Sequence, residues 1–367
     1  MAIEGKTIRV LVVDDSVVYR TLLATNLSSK PGIEVIGVAF DAFDAQEKIA
    51  DLKPDVLTLD IEMPKMSGIE LTKKLMSTAP LPIILVSSAN INVFDALQAG
   101  AVDFVKKPDA RRSVSPEAFI DELVSKIKVA SVAKISNHFL ARPVAEKVRA
   151  AEMSANTNSV NNILSKPLID CSDSVCNSTL IALGASTGGT EAIFEVLKRL
   201  PSKIPPMLIV QHMPPIFTKL YAERLNKMCA MNVKEAQDND VVVPGQVYIA
   251  PGDCQMRLIK VAGTYKLSCK GTEKVSGHCP SVDALFESVA KESTKTNIGI
   301  ILTGMGKDGA TGLLEMKNKG AFTLGESQES CVVYGMPMVA QNIGAVMVQA
   351  SNKEIPNLLM KHLNTLG

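Results

Sequence analysis

The stretch at residues 179–200, TLIALGASTGGTEAIFEVLKRL, constrains the fold more than any other. Leu180 to Leu183 is a short continuous apolar run of the length of a buried strand. Ile193, Val196, Leu197 and Leu200 then recur at three- and four-residue spacing, which predicts an amphipathic helix stopped by Pro201. Between them lie Gly184-Ala185-Ser186-Thr187-Gly188-Gly189. A buried strand that turns through glycines into a helix is the repeating unit of a parallel α/β sheet. Such a turn can also hold a side chain exposed in front of helix amides, so Ser186 is the first candidate nucleophile. The same residues half-match a dinucleotide fingerprint with serine at the second glycine, and a plain tight turn is a third reading. A hydroxyl nucleophile needs a base and an orienting acid from elsewhere in the chain.

Residues 7 to about 128 alternate apolar strands with helical stretches, which predicts a doubly wound parallel sheet. The expected strands are Ile8 to Val13, Val35 to Phe40, Val56 to Leu59, Ile83 to Val86 and Phe104 to Val105. Asp14 and Asp15 follow the first, Asp60 the third, Ser87 the fourth and Lys107 the fifth. In open α/β sheets that carboxyl edge is where ligands bind. Carboxylates converging there repel one another unless a cation is present, and hard oxygen ligands suit Mg²⁺.

The segments VVDDS, LTLDIEMPKMSG, LVSS and DFVKKP make this region resemble the receiver domain of bacterial response regulators. The resemblance implies a flavodoxin-like fold in which Asp60 accepts a phosphoryl group from a histidine kinase. It implies Mg²⁺ held by Asp14, Asp15, Asp60 and the backbone carbonyl of Glu62. Ser87 and Lys107 would contact the phosphoryl oxygens. Phe104 matches the family's aromatic switch position, an ordinary core phenylalanine being the other reading. Ser67 departs from the pattern, standing where the family often has aspartate.

Beyond this region the pattern fades. Residues 119–133 keep helical spacing, but AEMSANTNSVNNILSKPLIDCSDSVCNS is rich in Ser, Asn and Ala without a period. Such a composition buries too little apolar surface to offset its ordering entropy, so residues 129–177 are expected to be a flexible linker. The receiver would then be 7–128 and the second domain 178–367. Formal net charge is +1, from 39 basic and 38 acidic residues, so no global field favours nucleic acid or an anionic membrane. The first apolar run is short and acidic-flanked, unlike a signal peptide, and no stretch has the length of a membrane span. The seven cysteines are scattered, without metal-ligand spacing, and reduced thiols in the cytoplasm are expected.

In the second domain a strand from Met207 to Val210 ends on Gln211-His212. VKEAQ, GQVYIAPGD and MRLIKVAGTYKLSCK read as hairpin-like segments. Ser281 heads a helix with Asp283 in its first turn. A strand from Asn297 to Leu302 runs into Thr303-Gly304-Met305-Gly306-Lys307-Asp308-Gly309. Ser186, His212 and Asp308 therefore each follow a strand, at one edge of the sheet. Imidazole can take the serine proton when a carboxylate fixes its tautomer. The chain order serine, histidine, acid differs from that of α/β-hydrolases. A dinucleotide site would need an acid where Gln211-His212 stand. A non-enzymatic binding module would be favoured by a basic recognition helix, and the sequence has none.

The segments IALGASTGGTEAI, QHMP, GQVYIAPGD, HCPSVDALF, ILTGMGKDGA and CVVYGMP are similar to the catalytic domain of chemotaxis protein-glutamate methylesterases. Receiver, linker and esterase in that order is the family's architecture. The resemblance implies a Rossmann-like esterase domain with Ser186 as nucleophile, His212 as base and acid, and Asp308 as orienting carboxylate. It implies an oxyanion hole from the Met305 backbone amide, with Thr187. The implied substrates are glutamate γ-methyl esters on chemoreceptors, released as glutamate and methanol without a cofactor. Some members also deamidate receptor glutamines. The implied phosphodonor is the chemotaxis histidine kinase, and the unphosphorylated receiver is implied to cover the active site. Gln255 and Cys279 depart from the family's histidine and arginine and are expected to affect docking of the substrate helix. His278 is expected to face substrate or solvent.

Overall fold

The computed structural model describes residues 7–87, 92–108, 116–135 and 168–367. They fall into two compact units, bounded as Met1–Arg142 and Pro143–Gly367. Among the described residues no helix is long and apolar enough to cross a membrane.

The first unit is a five-stranded parallel sheet in the order β2-β1-β3-β4-β5. Its strands are β1 (Ile8–Val13), β2 (Ile33–Ala39), β3 (Val56–Leu59), β4 (Ile83–Ser87) and β5 (Asp103–Lys106). β3 and β4 are buried at every residue, as expected of parallel strands covered on both faces. The helices are α1 (Val17–Ser28), α2 (Ala42–Leu52), α3 (Gly68–Thr78), α4 (Asn92–Gln98) and α5 (Pro116–Ala130). The strand order reverses at β1, which lies between β2 and β3, so Asp14 and Asp60 emerge side by side. Ser67, the departure from the receiver pattern, is the N-cap of α3 in a capping box with Glu70.

The second unit is built on a seven-stranded parallel sheet in the order β14-β13-β12-β6-β7-β9-β8. The central strand β6 (Thr179–Ala185) is buried throughout and pairs with β7 (Met207–Gln211) and β12 (Thr296–Ile301). Its last residues, Gly184 and Ala185, pair with Ile301 and Gln211, so the loops carrying Ser186, His212 and Asp308 leave adjacent strands. The outer strands are β13 (Phe322–Glu326) and β14 (Val348–Ala350) on one side, β9 (Gln246–Ile249) and β8 (Asn232–Glu235) on the other. Helices α6 (Asp173–Ser178), α7 (Gly189–Leu197), α8 (Phe217–Met228), α9 (Val282–Glu292), α10 (Ala310–Asn318), α11 (Met336–Asn342) and α12 (Ile355–Asn364) complete the unit.

Two expectations change. VKEAQ and GQVYIAPGD do not form a hairpin; they contribute β8 and β9, which pair in parallel. Alternating apolar residues mark a strand but not its direction, and parallel neighbours usually require a helical crossover. Here the extended crossover instead bonds to the true hairpin, β10 (Met256–Val261) with β11 (Thr264–Cys269), through Asp240, Val242 and Asn239. Helices also occupy both ends of the stretch expected as a flexible linker, residues 129–177. Val129 and Ala130 are buried at the end of α5. At the other end Ser172 caps α6, which buries Val175 and Cys176. The Ser and Asn content there serves caps rather than a loose chain. Residues 136–167 of that stretch lie outside the described residues.

Candidate functional site

In the second unit three side chains form one hydrogen-bonded line. Ser186 Oγ lies 3.1 Å from His212 Nδ1, and His212 Nε2 lies 2.8 Å from Asp308 Oδ2. A carboxylate can only accept, so Nε2 carries the ring proton and Nδ1 presents its lone pair to the serine hydroxyl. Asp308 is 1 % exposed. Burial would raise its pKa, but the His212 contact and the amides of Asp283 and Val282 outweigh it and hold the carboxyl below its usual range.

That acid is fixed by the N-terminus of α9. Val282 N–H donates to Oδ2 at 2.8 Å, while Asp283 N–H and Ser281 Oγ–H donate to Oδ1 at 2.9 and 2.8 Å. Helix amides and the macrodipole stabilise an anion there. Asp283, read in sequence as a simple first-turn acid, accepts Gly312 N–H at 2.9 Å in the first turn of α10. Each acid therefore satisfies the helix that the other one precedes or begins. Burial raises the Asp283 carboxyl above its ordinary value.

The serine turn depends on close backbone approach. Gly188 has φ +77, and a Cβ there would lie 2.6 Å from Val332. A Cβ on Gly304 would lie 2.6 Å from the Ser186 Cβ. This contact brings the 303–306 turn against the serine. Ser186 N–H donates to Thr303 O at 2.9 Å, and Thr303 Oγ1 donates to Thr187 O at 3.0 Å. Among the described residues the Met305 N–H has no hydrogen-bond acceptor, and the residue is half exposed.

Sequence reasoning missed three supports. Gln211 Nε2 donates to Ser186 O at 2.9 Å and His212 O at 3.2 Å, bracing nucleophile and base through their carbonyls. His278, expected at the surface or on the substrate side, is half-buried and stacks on His212 with centroids 3.9 Å apart and planes 9° from parallel. Burial, and then the neighbouring His212, hold its imidazole down to about 4. Gln255, expected to affect docking of the substrate helix, is fully buried. It donates to Glu273 O at 2.8 Å and His278 O at 2.9 Å, and accepts Ser281 N–H at 2.9 Å. It thus fixes the loop that carries His278 and the α9 cap. Cys279 is partly buried, its sulfur 3.9 Å from Gly271 O.

In the first unit Lys107 Nζ lies 2.6 Å from Asp60 Oδ2 and 2.8 Å from Asp14 Oδ2. Burial raises the Asp60 carboxyl, against the pull of Lys107 and with a smaller push from Asp14. Burial would lower the Lys107 ammonium, but Asp14 and Asp60 more than offset it. Oxygens of Asp14, Asp15 and Asp60 lie within 4.8 Å of one another. Asp14 Oδ2 is buried and stands at ion-pair distance from Lys107, with no other hydrogen-bond donor among the described residues. An under-satisfied buried oxygen among three carboxylates, one of them exposed, fits a hard divalent cation that keeps waters. Ser87 is buried at the end of β4, and its carbonyl accepts Lys107 N–H at 2.8 Å. Glu62 N–H donates to Asp60 Oδ1 at 3.4 Å. Phe104 is 3 % exposed, packed in the core beneath the Lys126 ammonium. Sequence reasoning missed Arg20, which donates to the carbonyls of Asp14 and Asp15 at 2.6 and 2.8 Å and pins the acidic turn.

Comparison with known proteins finds a family for each of the two units. The CheB methylesterase family profile matches residues 181–359, and the response regulator receiver domain profile matches residues 10–115. A protein-glutamate methylesterase/protein-glutamine glutaminase 2 of Syntrophomonas wolfei is 48% identical over 98% of this chain and 99% of its own. A protein-glutamate methylesterase/protein-glutamine glutaminase from Salmonella typhi is 42% identical, with 92% of each chain covered. Among solved structures, the Thermotoga maritima CheB methylesterase catalytic domain is 36% identical, covering 50% of this chain and 97% of its own, with a TM-score of 0.48. On its similarity along nearly the whole length, the chain belongs to the protein-glutamate methylesterase/protein-glutamine glutaminase family, with a receiver domain ahead of the methylesterase domain.

Proposed function

We propose that the protein hydrolyses glutamate γ-methyl esters on chemoreceptors by acyl transfer through Ser186, and that phosphorylation of Asp60 by the chemotaxis histidine kinase raises that activity. The observation that carries the chemistry is the Ser186–His212–Asp308 line of hydrogen bonds. His212 Nδ1 takes the Ser186 hydroxyl proton as Oγ bonds to the ester carbonyl carbon. The Met305 N–H, with that of Thr187, donates to the developing oxyanion. His212 then gives its proton to the departing methoxide, which leaves as methanol. Water loses a proton to Nδ1, adds to the glutamyl–serine ester, and the proton returns to Ser186 as glutamate is released. Asp308 stays ionised throughout, held by α9, and stabilises the imidazolium. A glutamine substrate would pass through the same acyl-enzyme with ammonia leaving, which matches the second activity in the relatives' description.

In the receiver, Asp14, Asp15, Asp60 and the Glu62 carbonyl would hold Mg²⁺, which when bound neutralises charge at the reacting phosphoryl group. Lys107 supplies a second positive charge beside Asp60, and Ser87 stands next to it for the phosphoryl oxygens. Phe104 is proposed to respond to this change from its core position.

The test is methanol release from methyl-labelled receptor cytoplasmic fragments, with and without a small phosphodonor and Mg²⁺, beside Ser186→Ala. Release that needs Ser186 and rises with phosphodonor is the expected result. Undiminished release by Ser186→Ala sinks the nucleophile. Release indifferent to phosphodonor sinks the activation.

A further inference from the structure

Glu326 ends β13 with no exposed surface, and no step of ester hydrolysis consumes it. Its Oε2 accepts Thr303 N–H at 2.8 Å and its Oε1 accepts Ser330 Oγ–H at 2.9 Å. Thr303, Ser330 and Cys331 are the groups that oppose the effect of burial on it, and none is a cation. Burial pushes this carboxyl up to about 7. An uncompensated acid inside a core is costly, and such groups concentrate at functional sites.

What Glu326 holds is the junction between nucleophile and oxyanion turn. The β12–β13 ladder ends at the pair Ile301 and Gly325, so Thr303 N–H lies beyond the last paired residue. The Glu326 carboxylate takes the place of the missing main-chain acceptor. Thr303 O in turn accepts Ser186 N–H at 2.9 Å, and Thr303 Oγ1 reaches Thr187 O at 3.0 Å. Two residues after Thr303 comes the Met305 amide. A shift of Thr303 would therefore move the serine turn and the oxyanion donor relative to each other.

We propose that Glu326 is a positioning residue of the esterase, setting the spacing between the Ser186 turn and the Met305 amide by accepting the Thr303 N–H. This rests on the reading of Ser186 as nucleophile and Met305 as oxyanion donor. The role requires an acceptor oxygen at one place and does not require charge. Glutamine satisfies it, its amide nitrogen donating to Ser330 Oγ in place of the present bond.

The experiment measures kcat and KM for methanol release by the full chain on methylated receptor fragments. Glu326→Gln keeps the acceptor and its reach and retains kcat within about twofold. Glu326→Asp keeps the charge but withdraws the acceptor by one methylene, and Glu326→Leu removes it. Both lower kcat about 100-fold, the scale of a roughly 1 Å misplacement, while KM stays within about twofold because Glu326 touches no substrate. If Glu326→Leu does not fold, as judged by near-ultraviolet circular dichroism, the Gln and Asp variants decide. Wild-type kcat in Glu326→Asp, or a loss in Glu326→Gln equal to that in Glu326→Asp, overturns the proposal. Ser186→Ala in the same assay separates the two readings. If it is inactive while Glu326→Asp is unaffected, the positioning role alone fails. Hydrolysis without Ser186 removes the nucleophile on which the role rests.

Discussion

Asp60 and Asp308 each occupy a loop at the carboxyl edge of a parallel sheet, both nearly inaccessible, yet their carboxyls move in opposite directions. For Asp60 burial dominates, because the one ammonium that opposes it is shared with Asp14, whose charge adds to the rise. For Asp308 burial is overcome by the His212 imidazole and by the main-chain amides of Asp283 and Val282. The lesson is that the partners, not the depth, set what a buried carboxylate can do. A site short of positive charge is suited to receive a cation and a phosphoryl group. A saturated carboxylate is suited to stay ionised and hold an imidazole still.

The largest test of that contrast is Asp308→Asn. The amide would face Nε2–H with either an oxygen or an NH₂ group, and the latter selects the wrong tautomer. We expect kcat to fall about 10⁴-fold with little change in KM, read by methanol release. A variant keeping a tenth of the activity removes the orienting role.

Asp60→Asn tests the other side. Hydrolysis should lose its response to phosphodonor, as should the wild type after chelation of Mg²⁺. Stability gives an independent reading. The folded carboxyl lies above its ordinary 3.8, so its cost is absent below that value and develops as pH rises through the folded pKa. At pH 7 without Mg²⁺ the receiver transition of Asp60→Asn should therefore lie a few degrees above the wild type. The gap should close as pH falls toward 3.8. A variant that melts lower at pH 7 would mean that Lys107 already neutralises the site, and the contrast with Asp308 would collapse.

The smallest effect belongs to Ser67→Ala, which removes the capping box of α3 from the receiver and leaves the esterase unit untouched. A loss of about 1 kcal/mol in denaturant unfolding of the receiver, with the esterase transition unmoved, is expected. An unchanged receiver midpoint would show that the cap contributes nothing there.

The parallel sheets and the main site residues were legible because apolar strand runs end abruptly on chemically distinctive residues: Asp14-Asp15, Asp60, Ser186, His212. Strand direction at VKEAQ and GQVYIAPGD was not, since a period of two says nothing of parallel or antiparallel pairing. The helix at 173–178 was hidden because it is a single short turn whose Ser and Asn content suggests a loose chain. The supporting contacts of His278, Gln255 and Gln211 were not legible, since each is made only when distant loops meet. The adjacency of histidine and serine to ordinary neighbours looks the same whether the ring stacks on a base or faces water.

By itself the sequence determined the alternation of strands and helices, the residues that end each strand, and the glycines that let backbone approach the serine. These are local properties, set by burial period and by steric freedom at single positions. The tertiary structure alone decided the electrostatic states of Asp60 and Asp308. The α9 amides reach Asp308 only because β6, β7 and β12 stand side by side. The charge of an acid in a folded chain depends on which dipoles and cations surround it, and those come from residues far away in sequence.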